Sequence, residues 1–439
     1  MKLLHKGKMF LIAAAILPLS ILEANPGFSR QMDMGCMACH SQTMSQLNSF
    51  GRKFAASGLT MTSGSQSMID GETLKLGLPA VLNAGVLLKA RYIKSDPETS
   101  THDDFGYDRG NLELFKVSKI FFGGKIAENV GGFMNFENNE VGGKVVFAHE
   151  LGSGYAGIAA FMQNDFGPFS GMEYYNTGLY APLKLFENRK STNAAQATEL
   201  GHGPASGVQA YYGGDMFYLM GGAYVPATSR HEGLDVGTDV IGITRAAFAP
   251  TIGDWTVMIG AYAINGTAKI NNYALDDAKL VKSDAFLYEI TRRAYGVDMQ
   301  IEGEVAGMST LIALNSVLKN ETEVFENDAS PGNIDEVVFT NQKLKAGDNK
   351  AFSAEVQVNP WEPFGVKAAY LHYNDMFNYT AKPNNIDKWD RDDYSLGFDY
   401  SYRQNVRFAA EYTYSNIANT GGTNSLSDSD TYVFYTMIG

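Results

Sequence analysis

Val406-Arg407-Phe408-Ala409-Ala410-Glu411-Tyr412-Thr413-Tyr414-Ser415 is the stretch whose reading decides the fold. Val406, Phe408, Ala410, Tyr412 and Tyr414 fall on one face, and Arg407, Ala409, Glu411, Thr413 and Ser415 on the other. A period of two is the mark of a strand whose faces meet different surroundings. The preceding segment repeats it, with Leu396, Phe398, Tyr400 and Tyr402 set against Ser395, Gly397, Asp399, Ser401 and Arg403. Only Arg403-Gln404-Asn405 lies between, so the two segments form a hairpin.

Outward from this hairpin the pattern continues. Val356 and Val358 alternate with Glu355 and Gln357, and a further segment spans 365–373. Short turns are expected near 128–131, 151–154, 213–215, 250–254, 302–305, 359–364 and 403–405. Long links fall near 95–109, 164–205, 265–282, 318–349, 375–392 and 416–430, with shorter ones near 138–142 and 226–236. A strand-like stretch at 170–181 is assigned to a loop. Short and long connections thus alternate, as periplasmic turns and outer loops do in a transmembrane barrel. The expected fold is all-β: a transmembrane antiparallel β-barrel of about 16 strands with a small N-terminal helical plug segment. Tyr, Trp and Phe at strand ends fit interfacial girdles. The last strand, Tyr432 to Ile438, ends in Gly439 where such barrels usually carry an aromatic residue.

The start of the chain reads differently. Lys2, His5, Lys6 and Lys8 precede an apolar run from Met9 to Ile21, and Leu22-Glu23-Ala24 offers a cleavage point. Residues 1–24 read as a secretory signal peptide, since a run of about 13 residues is short for a membrane span. Beyond residue 24 there is no apolar run of the roughly 18 residues a membrane helix needs, so a membrane crossing must be made by a closed barrel. The organisation that follows is signal peptide 1–24, plug segment 25–72 and outer-membrane barrel 73–439. The net charge of −13 excludes nucleic acid as a partner, because phosphate contacts need clustered Lys and Arg. Two cysteines in 439 residues exclude a disulfide-built fold.

Those two cysteines stand in Cys36-Met37-Ala38-Cys39-His40, the attachment pattern for c-type haem. Two thiols three residues apart reach the two vinyl groups of one porphyrin, and His40 is placed to bind the iron as proximal ligand. A thioredoxin-like pair needs a βαβ context, and a zinc site needs more Cys or His nearby; neither is present. One covalent haem c is therefore expected. A short helix follows, with Ser41 as its cap, Gly58 in the left-handed conformation at its end, and Met44, Leu47, Phe50 and Phe54 on one face. That face either covers the haem or packs on the barrel wall. The distal ligand stays open: Met44, Met61, Met68 and His149 are candidates, as are His102, His202, His231 and His372. A Met ligand would raise the potential relative to a second His. About 45 residues are too few to bury a haem alone, so the barrel wall has to supply the cover.

From Ala24 to Thr60 the chain resembles the outer-membrane cytochrome–porin fusions implicated in bacterial iron(II) oxidation. The resemblance rests on Phe28-Ser29-Arg30-Gln31, Cys36 to His40, Leu47-Asn48-Ser49-Phe50-Gly51-Arg52-Lys53-Phe54 and Gly58. Ser29 and Ala55 stand where that family has Ala and Lys, and its Pro after CxxCH is missing. The resemblance implies electron transfer from an extracellular donor, Fe(II), through the haem to a periplasmic c-type cytochrome, and so an iron(II):cytochrome c oxidoreductase in the outer membrane of a Gram-negative bacterium. Solute passage through a porin with a structural or gating haem, and an outward conduit to extracellular acceptors, are the alternatives. Acidic clusters at Asp96–Asp108, Glu321–Glu336 and Asp387–Asp393 would raise the local concentration of cations at the outer mouth, or stand as solvated loops. Arg30, Arg52 and Lys53 are candidate partners for haem propionates.

Overall fold

The computed structural model describes residues 26–41, 46–64, 68–69, 78–79, 83–96, 110–137, 140–163, 167–172, 178–179, 184–200, 203–227, 239–270, 288–328, 340–379, 386–403, 405–419 and 428–438. The signal-peptide reading of 1–24 lies outside them, as do Met44, His102, His202 and His231.

The chain forms a closed antiparallel barrel of 16 strands. They are β1 (Ala84–Asp96), β2 (Asn111–Ala127), β3 (Val130–Glu137), β4 (Glu140–Leu151), β5 (Gly154–Gln163), β6 (Ala205–Gly213), β7 (Phe217–Val225) and β8 (Ile241–Phe248). The second half is β9 (Trp255–Ile270), β10 (Tyr288–Val305), β11 (Met308–Asp328), β12 (Lys350–Trp361), β13 (Phe364–Tyr379), β14 (Ile386–Arg403), β15 (Val406–Asn419) and β16 (Ser429–Ile438). β16 pairs with β1 from Asp430↔Asp96 to Ile438↔Leu88, which closes the ring and leaves no sheet edge exposed. A further strand, Thr340–Asp348, pairs with the outer parts of β11 and β13, above the main wall.

The alternation in the deciding hairpin is realised with its polar face inward. Arg407, Ala409, Glu411, Thr413 and Ser415 are buried in the lumen, while Phe408 and Tyr412 stand exposed on the outer surface. Outward rings gather near the two ends of the wall. Phe217 and Phe248, and Trp361, Phe364 and Phe398, lie near the short turns, and the Tyr370–Tyr394 and Tyr412–Tyr432 pairs lie toward the long loops. Aromatic rings in two belts are what a lipid-facing wall requires at its interfaces. No helix among the described residues is long and apolar enough to cross a membrane, which says nothing about crossing by strands.

Among the described residues the first barrel strand starts at Ala84, after a small ribbon that pairs Met68–Ile69 with Leu78–Pro79. Two features differ from the sequence reading. The turn expected at 302–305 lies at Ala306-Gly307, both at positive φ. β10, β11, β13 and β14 run to 18, 21, 16 and 18 residues, so regions assigned to loops at 318–349 and 375–392 are largely paired strand. About 10 residues suffice to span the apolar layer. The extra length projects beyond it, where both faces meet water and the hydrophobic alternation that marks a strand is lost.

The lumen is filled by two inserted segments. The first is the N-terminal plug, with helix α1 (Pro26–Met32) and helix α2 (Ser49–Ala56). The second is the link between β5 and β6, expected to be an outer loop. Its described residues fold inward as turns at Gly167–Ser170 and Arg189–Ser191 and a short helix α3 (Ala194–Ala197). Phe169, Met172, Leu179 and Leu200 of this link pack in one cluster with the inward faces of β6 to β10, among them Tyr218, Ile243 and Met258.

Candidate functional site

The plug is built around Cys36-Met37-Ala38, one turn of 3-10 helix. The backbone N–H groups of Cys39 and His40 both donate to the Cys36 carbonyl, at 3.2 and 3.1 Å. This folds the two cysteines and the histidine onto one turn. Neither cysteine is in a disulfide, and Cys36 is buried with its Sγ 3.7 Å from the Ser29 hydroxyl. Burial pushes the Cys39 thiol up to about 11, the reverse of the depressed value that marks a redox-exchange cysteine.

Helix α2 holds this turn from below. Asn48 is its N-cap, accepting from Gly51 N at 2.9 Å, so the expected cap at Ser41 is corrected. His40 is instead bridged to Leu47, and Ser41 N donates to the Gln46 carbonyl at 2.9 Å. The Asn48 amide also donates to the Ala38 carbonyl at 3.1 Å, and its backbone N–H to the Cys39 carbonyl at 3.0 Å. Gly51 lies so close that a Cβ there would stand 2.0 Å from the Cys39 carbonyl oxygen. Gly58 ends the helix region at φ +70°, as expected, and rests against Ala148 and Val146 of β4. Phe54 packs with Met32, Leu59, Met61, Phe28 and Phe133, so α2's apolar face meets α1 and the barrel wall.

Polar contacts lock the plug to the short-turn end of the barrel. Buried Arg52 pairs with Glu302 on β10 and donates to the Leu47 carbonyl at 2.8 Å. Gln300 donates to the same carbonyl at 3.2 Å. The Tyr211 hydroxyl on β6 donates to the Ala56 carbonyl at 2.7 Å, and Lys53 lies 3.8 Å from Asp215 beside the β6–β7 turn. Gln31 donates to the carbonyls of Leu59 and Met61 at 2.8 and 2.7 Å, and Arg30 to that of Ala84. The three cations considered as propionate partners are thus each engaged with the protein.

The distal candidates separate by position. His149 is exposed on β4, whose residues Val146 and Ala148 face the plug; alternation turns His149 to the other side, away from the turn. His372 is exposed on β13 and bonded to Asp392 at 3.0 Å. Met61 is in the plug, packed against the cluster of Met32, Phe54 and Leu59. Met68 lies in the small ribbon before the barrel. The acidic clusters are largely engaged where they are described: Glu321 with Lys319 at 3.0 Å, Asp393 with Arg391 at 3.0 Å, and Asp392 with the Tyr370 hydroxyl at 2.8 Å.

Above the plug, the inward-folded link is held by charge. Glu187 receives Lys89 at 2.8 Å, Arg91 at 3.0 Å and Lys184 at 3.2 Å. Its own N–H donates to Glu411, which also takes Lys367 at 2.6 Å. Lys367 donates in turn to the Leu185 carbonyl at 2.7 Å, Asn193 bonds Glu355 at 3.0 Å, and Asn320 donates to the Thr198 carbonyl at 2.6 Å. Polar residues of β1 and β11 to β15 therefore hold a peptide segment at the positions where a wide barrel would hold water.

The chain matches no protein-family model and no curated protein. Solved structures with a similar fold are the outer-membrane channel DcaP of Acinetobacter baumannii (11% identity, TM-score 0.44, 85% of this chain and 99% of that one) and OprB of Pseudomonas putida (8%, 0.46, 80% and 93%). OmpT of Vibrio cholerae is a third (12%, 0.44, 83% and 99%). At such identities the likeness is one of barrel fold. The strands themselves define a closed antiparallel β-barrel. Within that class, this chain is a barrel that carries a plug with a CxxCH turn, docked near its short-turn end.

Proposed function

We propose that this protein is an outer-membrane electron carrier that holds one haem c on Cys36, Cys39 and His40, and passes electrons from an extracellular donor, Fe(II), to a periplasmic c-type cytochrome. The observation that carries the reading is the setting of the CxxCH turn. Its two cysteines, not joined in a disulfide, and its histidine are gathered on one turn, clamped by Asn48 and Gly51, in a plug docked on the wall near the short-turn end. Such a donor set suits two thioether bonds and one imidazole ligand, and the wall supplies the cover that so short a segment lacks.

When bound, the haem would supply a one-electron couple between Fe(III) and Fe(II). The residues of the chain do the rest. Cys36 and Cys39 fix the group, His40 ligates its iron, and Arg52 with Glu302 keeps the turn from leaving the barrel. The buried lock around Glu187 holds the link in the lumen, where it would restrict the access of bulk water and solutes to a haem. The plug's place near the short-turn side, read as periplasmic, would let a periplasmic cytochrome take the electron there, and oxidised iron would stay outside.

Stopped-flow mixing of the oxidised, detergent-purified protein with Fe(II) tests this. Reduction of the haem within seconds is expected, and an unreduced haem would remove Fe(II) as donor. A strongly negative midpoint potential would favour the outward conduit instead. The porin-like fold also supports a second reading, solute passage with a structural or gating haem. Sugar uptake into liposomes separates the two: a closed lumen passes little, and rapid swelling would favour the porin.

A further inference from the structure

Glu187, in the inward-folded link between β5 and β6, is buried with each of its carboxylate oxygens held by two cations. Oε1 takes the Lys89 ammonium at 3.1 Å and Arg91 Nη1 at 3.0 Å. Oε2 takes Lys89 at 2.8 Å and Lys184 at 3.2 Å. Lys89 and Arg91 stand two residues apart on β1, so both project into the lumen. Arg91 also pairs with Glu113 of β2 through its Nε. Lys89 differs. Among the described residues Glu187 is its one carboxylate partner, and its ammonium also lies 5.7 Å from the centre of the Tyr435 ring on β16. The edge of the cluster reaches water, since the Lys184 side chain is 23% exposed and that of Arg91 11%.

Beside these cations the wall reverses its polarity. Glu411 on β15 accepts from the backbone N–H of Glu187 at 2.9 Å and of Asn188 at 3.2 Å. The wall thus offers two cations to a carboxylate and, next to them, an acceptor to a donor on the same ligand. The link meets both with one side chain and two peptide groups, none of which needs to belong to this chain. A buried ion pair returns in attraction about what its desolvation costs. Replacing the Glu187 carboxylate by a free one that makes the same bonds is therefore close to neutral for the wall. The advantage of the link is its tether, which keeps its carboxylate at high local concentration.

We infer that Lys89 and Arg91 form a carboxylate-binding site of the lumen, which Glu187 fills from within while the link is docked, and that a small organic acid takes its place and releases the link. The site uses no residue of the plug, so it stands whether or not Cys36 and Cys39 carry a haem. It gives the lumen a class of solute, small carboxylates, and makes the link a cis-acting occupant of that solute's site.

The test uses the full-length protein in detergent. Its first arm needs no variant: hydrogen exchange at residues 184–200 is followed in wild type with sodium succinate, with sodium chloride at the same ionic strength and with sucrose. Succinate is expected to speed exchange there well beyond chloride or sucrose, and to leave β10 to β15 unchanged. The second arm measures acetate binding by calorimetry in wild type and in Glu187→Ala, where acetate replaces the missing Cγ and carboxylate. Glu187→Ala should bind acetate more tightly than wild type by about tenfold, the weight of one charge-assisted pair. Adding Lys89→Met to Glu187→Ala should remove that gain. Succinate and chloride acting alike in wild type, or acetate bound no more tightly by Glu187→Ala, would overturn the assignment and leave Glu187 a fixed structural tie. If Glu187→Ala does not accumulate, the succinate arm decides alone.

Discussion

The guanidinium of Arg52, on the plug's second helix, is paired with the carboxylate of Glu302 on β10, 250 residues away in the sequence. Arg52 is 2% exposed, so its charge has no recourse to water. The pair is the tie between the CxxCH-bearing segment and the barrel that surrounds it.

Removing one partner should therefore release the plug rather than merely loosen a surface contact. Glu302→Leu is expected to weaken plug docking by about 3–5 kcal/mol, because it leaves a buried charge unpaired. Hydrogen exchange should speed up across residues 26–61 and stay slow in β10 to β15. The double variant Arg52→Met with Glu302→Leu should recover most of the protection, since an apolar pair of similar volume has no charge to desolvate.

Gly51→Ala tests the contact between helix α2 and the CxxCH turn. The new Cβ would fall 2.0 Å from the Cys39 carbonyl oxygen, so the helix must back away. Overpacking of this kind costs about 1–3 kcal/mol. Amide exchange at Cys39 and His40 should rise, and heat-modified mobility of the barrel on gels should remain that of wild type.

Asn48→Ala removes a helix cap and a clamp together. The cap alone is worth about 1 kcal/mol. The bond to the Ala38 carbonyl adds to it. Helix α2 should fray at its start, seen as faster exchange at Gly51 and Arg52, while Asn48→Asp, which keeps the acceptor for Gly51 N, should restore the cap but not the clamp.

The lock around Glu187 should respond to pH in one direction. Burial pulls the Lys184 ammonium down to about 7, against the attraction of Glu187. Burial raises Glu187, but Lys184, Lys89 and Arg91 outweigh it and hold the carboxyl well below its ordinary 4.5. Lys184 binds more protons undocked than docked between its docked value of about 7 and its ordinary 10.5. Its contribution to docking therefore shrinks as pH falls through that range. The contribution of Glu187 is complete above 4.5 and is lost as pH falls below it. Both loosen the link on acidification. Single-channel recordings should show rare openings at neutral pH and more of them near pH 4; openings that instead grow rarer with acid would contradict the lock.

The barrel was legible in the sequence because a lipid-facing wall imposes period-two alternation that little else produces, and the hairpin of Ser395–Ser415 displays it without interruption. The CxxCH turn was legible as a motif because it contains both cysteines of the chain. Three features were not. The inward fold of residues 184–200 depends on Glu411, Lys367 and Lys89, which lie more than 90 residues from the loop they bind or on distant strands. Polar loop residues in a lumen and in water look alike in sequence. The cap at Asn48 was hidden because Ser41 offers the same capping chemistry in sequence, and only the folded chain shows its N–H given to the Gln46 carbonyl and the helix starting at Ser49. Arg52 reads as a surface cation, and only its distant partner Glu302 explains its burial. A signal did exist in Asn48 and Gly51, which stand in the Leu-Asn-x-Phe-Gly-Arg stretch that carries the family resemblance.

The most direct measurement is a pyridine haemochrome spectrum of the full-length protein, extracted from membranes in detergent and run beside Cys36→Ala and Cys39→Ala. One thioether-linked haem per chain, surviving denaturing gels in the wild type and diminished or lost in the variants, is the predicted result. A detergent-soluble barrel with no covalent haem would contradict the account at its centre.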